Sequence, residues 1–187
     1  MRYGAVVLRF VAFISVLVAL AIAGCGDSSS SSTGVTAAAY VKAVCTAVRG
    51  WASDIDTRSG ALNVATIKNA DQGKAAIETF FTAAVADTSQ VVSKLEAAGT
   101  PSINDGKTIS GAFVSAFTQI ETALKKGQSQ AGALPTDNAT AFRDAGRKLA
   151  NSVQSSLNNI GSGLSGLKSP ELETAAKKEP ACAPLTT

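Results

Sequence analysis

Protein chemistry needs particular atoms, and this sequence is sparing with them. It contains no histidine, which removes the commonest general base, the commonest metal ligand and every Ser–His or Cys–His pair. The soft nucleophiles are three cysteines, Cys25, Cys45 and Cys182. None lies in a C-x-x-C spacing, so a thiol-exchange site is not indicated. The acidic residues are scattered. Asp54 and Asp56 are close in sequence, but residues two apart on a helix point in different directions. No acidic cluster has the spacing of a calcium loop or a carboxylate metal site. Gly161-Ser162-Gly163-Leu164-Ser165-Gly166 matches G-x-G-x-x-G literally. That motif cradles a pyrophosphate only between a strand and a helix; here an amphipathic helix precedes it, so it reads as a loosened helix end. Lys125-Lys126 and Lys177-Lys178 fall near expected helix C-termini, where they complement the helix dipole. Asn138-Ala139-Thr140 has the form of a glycosylation sequon. Aromatic residues make up 5% of the chain, too few for a stacking platform for sugars or bases. We therefore expect no catalytic residue, no cofactor and no metal site, and the chain is not read as an enzyme.

The elements around these residues read as helices. Alanine is abundant, the five prolines are confined to a few places, and apolar residues recur in threes and fours. A first helix starts near Thr36, a suitable N-cap, with Tyr40, Val41, Val44, Cys45, Val48, Trp51, Ala52 and Ile55 on one stripe. Trp51, the sole tryptophan, is either a packing residue of that stripe or the anchor of an interface or apolar pocket. The segment 57–69 either extends this helix or forms a loop. A second helix runs from about Asp71 to Ala98. Its seam of Ile77, Phe81, Ala84, Thr88, Val91 and Leu95 is of bundle type, and it stops at Gly99 with Pro101 beyond. A third begins near Ser102-Ile103-Asn104-Asp105, which has the form of a capping box. It carries Ile109, Phe113, Ala116, Phe117, Ile120 and Leu124, then frays where Gly127, Gly132 and Pro135 mark a loop. A fourth starts around Thr136 or Asp137 and carries Phe142, Leu149, Val153, Leu157, Ile160, Leu164 and Leu167. Ser169 and Pro170 announce a short last helix. The expected fold is all-α: an antiparallel up-down bundle of about four helices with a short C-terminal helix.

The N-terminus differs from the rest. Arg2 and Arg9 form a basic start, and Phe10 to Ala23 carry only Ser15 as a polar residue. This is a secretory-signal length, short of the roughly 20 apolar residues of a membrane-spanning helix. It ends Ile22-Ala23-Gly24-Cys25, which resembles the bacterial lipobox: an aliphatic residue, two small residues and a cysteine. The resemblance implies that residues 1–24 are a lipoprotein signal peptide. The Cys25 thiol then receives a diacylglycerol with palmitate-type chains, and cleavage leaves it as the first residue. Residues 25–35 then read as the lipidated cysteine and a Ser-rich tether, and 36–187 as the helical domain. The layout of lipobox, serine spacer, early cysteine, AAGTPSINDG between helices and late cysteine resembles small helical lipoproteins and secreted proteins of actinobacteria. That likeness carries over no activity and no site.

The lipoprotein reading has consequences. Lipid on Cys25 leaves Cys45 and Cys182, an even pair in an exported protein, where disulfides persist; we read one bridge tying the bundle, against two free thiols. Two of the 17 basic residues belong to the signal, so the remainder almost balances the 14 acidic ones. A near-neutral body gives no argument for nucleic acid. The expectation is a protein lipid-anchored at Cys25 to the extracytoplasmic face of the cell membrane, acting as a non-catalytic interaction or structural module for an envelope partner. The alternative is a carrier of a small apolar ligand in a cavity between helices near Trp51, Phe80, Phe81, Phe113 and Phe117.

Overall fold

A computed structural model describes residues 34–62, 67–164 and 166–185. Among them five α-helices follow one another: α1 (Ala37–Ala61), α2 (Ala70–Ala97), α3 (Gly106–Gly132), α4 (Ala139–Leu164) and α5 (Pro170–Lys178), then a single 3-10 turn, Ala183–Leu185. Capping sets most starts, because a side-chain oxygen satisfies an orphan N–H of the first turn. Thr36 Oγ1 accepts from the Ala39 amide at 3.2 Å. Asn69 Oδ1 accepts from Gln72 at 2.9 Å. Asn138 Oδ1 accepts from Thr140 at 2.9 Å and from Ala141 at 3.0 Å. Ser169 Oγ accepts from Leu172 at 3.3 Å, with Pro170 at the first helical position. Gly99 takes φ +74° just after α2, a left-handed turn that a side chain would strain.

The four long helices pack antiparallel, each on its neighbour in sequence, with α2 and α3 in the most extensive contact and α5 returning to α1. The core has two ends. At one, Tyr40, Val44 and Val48 of α1 meet Val91 and Leu95 of α2 and Phe117 of α3. At the other, Phe81 and Ala84 of α2 meet Leu124 and Ala131 of α3, Leu134 beyond it, and Leu149 of α4. The N-terminal half of α1 thus meets the C-terminal half of α2, as short connections between amphipathic helices require. Truncating a core ring such as Phe81, 6% exposed, costs roughly 3–5 kcal/mol.

The cystine forms as expected. Cys45 and Cys182 are joined, with Cα atoms 5.0 Å apart, and hold the chain end against α1. Three local expectations are corrected. Helix α3 starts at Gly106, and Asp105 precedes it in a left-handed conformation without a side-chain cap bond. Ser102 does not cap it: turns closed by Ile103 N–H to Pro101 and Gly106 N–H to Ile103 lie between Ser102 and the helix, while the Ser102 amide donates to the Val35 carbonyl at 2.8 Å and Val35 donates to Thr100 at 2.9 Å. That bridge ties Val35 to the connection between α2 and α3. Gly127 lies inside α3, which runs on to Gly132. A Cβ there would stand 2.5 Å from the Phe81 ring, so the glycine admits the ring rather than ending the helix. For the same reason Lys125 and Lys126 sit more than a turn before the end of α3, and Lys125 pairs with Glu121 at 2.7 Å. In segment 57–69, α1 continues to Ala61 before a connection leads to α2.

Candidate functional site

Cys25, the residue whose surroundings in sequence point most directly to chemistry, and the signal segment 1–24 lie outside the described residues. What the structure gives is the place where the tether joins the bundle. Val35, assigned by sequence to the tether, is already bound to the α2–α3 connection through the Thr100 and Ser102 bonds. Pro101, almost fully buried, seals that connection, and its carbonyl approaches Gly106 so closely that only a glycine fits there. The N-termini of α1 and α3 and the C-terminus of α2 share this end. Because α4 runs antiparallel to α3, its C-terminus points to the same end.

Trp51 faces into the molecule. Its ring meets Phe117 edge to face, with centroids 5.3 Å apart. The indole N–H donates to Thr88 Oγ1 at 2.9 Å, and the Thr88 hydroxyl in turn donates to the Ala84 carbonyl at 2.7 Å. A fully buried threonine is tolerable only when its hydroxyl is satisfied; here both its donor and an acceptor lone pair are used. The tryptophan is thus fixed by packing and by a polar latch on α2. Sequence placed Thr88 on the seam but gave no sign of this pairing, since the partners are 37 residues apart.

The five aromatic residues expected around a cavity do not share one space. Trp51, Phe113 and Phe117 belong to the first cluster, Phe80 and Phe81 to the second, where their two rings stack edge to face at 5.4 Å. Shallow grooves mark the surface of the described residues. One runs along α2 past Ala75, Thr79, Ala83 and Ala86; another lies between α3 and α4, floored by Leu134 and Leu149.

Some of the charged residues form surface ion pairs. Arg58 donates to Asp87 at 2.6 Å, joining α1 to α2, and Arg147 pairs with Asp144 at 2.9 Å. Asp54 and Asp56 are both exposed on α1. Lys177 and Lys178 lie in the last turn of α5, where they face the negative end of the dipole. Residues 161–164 of the glycine-rich stretch form the last turn of α4, with no strand before them, so the geometry that makes such a stretch bind pyrophosphate is lacking. Asn138 of the sequon is the α4 cap. Tyr40 has its hydroxyl pKa pushed up to about 12 by burial. Among the described residues, no group of three His, Cys, Asp or Glu side chains is placed to hold a metal ion, and no helix is long and apolar enough to cross a membrane.

Comparison with protein-family models, with curated proteins and with solved structures finds no match to this chain.

Proposed function

We propose that this chain is a lipid-anchored protein of the cell envelope, held by Cys25 on the extracytoplasmic face of the membrane, whose cystine-tied bundle serves as a non-catalytic interaction or structural module. The observation that carries the reading is the Cys45–Cys182 bond. Structural disulfides belong to oxidising, extracytoplasmic compartments. The bond also pairs the two cysteines of the body with each other, so that Cys25 of the Ile22-Ala23-Gly24-Cys25 motif is the remaining one of three. The bundle's interior supports the module reading over the carrier: Trp51 and Phe117 are in ring contact where the carrier requires open space.

Mass spectrometry of the protein extracted from its own envelope tests the reading. The denatured chain is expected to weigh residues 25–187, less two hydrogens for the bridge, plus a diacylglyceryl group in place of the Cys25 thiol hydrogen. Cys25→Ala is expected to abolish both the lipid mass and membrane recovery. A chain retaining residues 1–24 refutes the anchor. A native mass equal to the denatured one supports the module; a reproducible excess that leaves on denaturation turns the function to the carrier.

A further inference from the structure

The fold leaves one amphipathic face incompletely covered, and the tether determines what lies beside it. Helix α4 carries Val153, Leu157, Ile160 and Leu164 at spacings of four, three and four, one stripe of a helix; Leu167, expected by sequence to continue it, lies beyond the helix end. Only Leu149 of α4 is buried. Val153 packs on the second cluster, but Leu157, Ile160 and Leu164 belong to neither core cluster and are half-buried. Opposite them, Asn151, Ser155 and Asn158 are exposed.

Two features set this half-helix apart. It has no charge: between Lys148 and Lys168 there is no Asp, Glu, Lys or Arg. It is also built from weak helix formers, with Asn151, Ser155, Ser156, Asn158, Asn159 and Gly161 in eleven residues, each less favourable than alanine. Such a segment stays helical through burial of its apolar face rather than through propensity. Its own bundle supplies that burial only in part.

We propose that the C-terminal half of α4 lies against the lipid bilayer, a second and non-covalent membrane contact beside the anchor; the proposal rests on the lipid-anchored reading of Cys25. The length of chain outside the structure selects this occupant. Nine residue steps separate Cys25 from Gly34, which span at most about 30 Å when fully extended. Gly34 enters the bundle at the end to which α4 points its C-terminus. The helix is 26 residues long, about 39 Å, so its apolar stripe lies within reach of the surface to which Cys25 is fixed. An amphipathic helix whose other face is polar enters the interface with its apolar face about 5–10 Å deep. Without cations the contact draws on apolar burial and not on anionic headgroups, so salt does not weaken it. A second copy of the chain is the weaker occupant, since a helix pairing through such a seam is ordinarily flanked by charges that set its register, and this one has none.

The test places a tryptophan on each face, Ile160→Trp on the stripe and Asn158→Trp opposite, in protein reconstituted into neutral phosphatidylcholine vesicles containing bromine-labelled acyl chains. Flotation with the vesicles reads the anchor separately. If the extracted protein carries no lipid and fails to float, a maleimide phospholipid coupled to Cys25 restores an anchor of known chemistry, so failure of the anchor reading and failure of this one come apart. Bromolipid is expected to quench the added emission of I160W, which sits about 5–10 Å deep at the acyl boundary, unchanged from low to high salt, and to leave N158W unaffected. Because a folding defect would blur both, each variant is first required to keep the far-ultraviolet circular dichroism of the parent. If Ile160→Trp fails this check, Leu164→Trp takes its place. A floating protein whose stripe reporter is not quenched, equal quenching on both faces, or a dimer in which the stripe is shielded without lipid overturns the proposal.

Discussion

Removing the cystine tests most directly how this fold is held. The bond joins residues 137 apart; in the chain-entropy treatment, closing such a loop restricts the unfolded chain by about 5 kcal/mol, an upper figure because real bridges return roughly 2–5. The folded-state contacts decide how the loss is distributed. Helix α5 has no buried residue, and the chain end is pinned by Cys182 and Leu185, 2% and 6% exposed, with Leu172 packed at the edge of the first cluster. Reduction, or the double change Cys45→Ala and Cys182→Ala, is therefore expected to act at two levels. Residues 170–185 lose hydrogen-exchange protection under native conditions, because few buried contacts hold them. The global urea midpoint falls by roughly 1–2 M, taking a slope of 1–3 kcal/mol per molar urea. Trp51 fluorescence follows the global step, since its latch to Thr88 joins α1 to α2 and does not involve the tail. A midpoint unmoved by reductant would refute the account, as would tail and core opening together with one protection factor.

Three further outcomes are expected. Gly127→Ala should lower stability by about 1–3 kcal/mol, because its Cβ would press on the buried Phe81 ring and overpacking outweighs the gain in helix propensity; Gly111→Ala, with nothing within 4 Å, should raise stability by about 0.5–1 kcal/mol. Paired urea titrations measure both, and a stabilised Gly127→Ala would contradict the reading. Trp51→Phe keeps an aromatic ring but removes the indole donor to Thr88 and part of the side-chain volume; the hydrogen bond's share is about 1 kcal/mol, and in a double-mutant cycle with Thr88→Val a coupling energy near zero would mean that the bond contributes nothing. Tyr40, held to about 12 by burial, favours folding while neutral. Its contribution is full below pH 10 and is lost as pH rises from 10 through 12, about 2–3 kcal/mol in all. Tyr40→Phe should flatten that part of the stability–pH curve, and an unchanged slope would assign the loss to other groups.

Much of this molecule is written in residues three or four apart. Thr36, Ser169 with Pro170, and Gly99 mark helix ends because capping is settled within a single turn. The seam from Ile77 to Leu95 announces a bundle helix because its period is local. The cystine was legible by arithmetic, once Cys25 was assigned to lipid and an even pair remained. The tertiary structure decided what depends on residues far apart. Ser102 has the form of a cap, yet residues 102–105 are drawn into turns beside the bridge to Val35, and α3 starts at Gly106. Gly127 looks like a helix stop, yet the Phe81 ring needs the space a side chain would fill, and packing outweighs the glycine's weak propensity. Whether Trp51 faced a pocket or the core was undetermined on its own stripe, because the answer lies in Thr88 and Phe117 on two other helices. The uneven cover of α4 was equally hidden: its stripe is as regular as that of α2, and only the placement of the neighbouring helices left its C-terminal half short of apolar partners. Local propensity reads along one chain segment; burial is a property of several segments at once, and so only the assembled bundle could decide it.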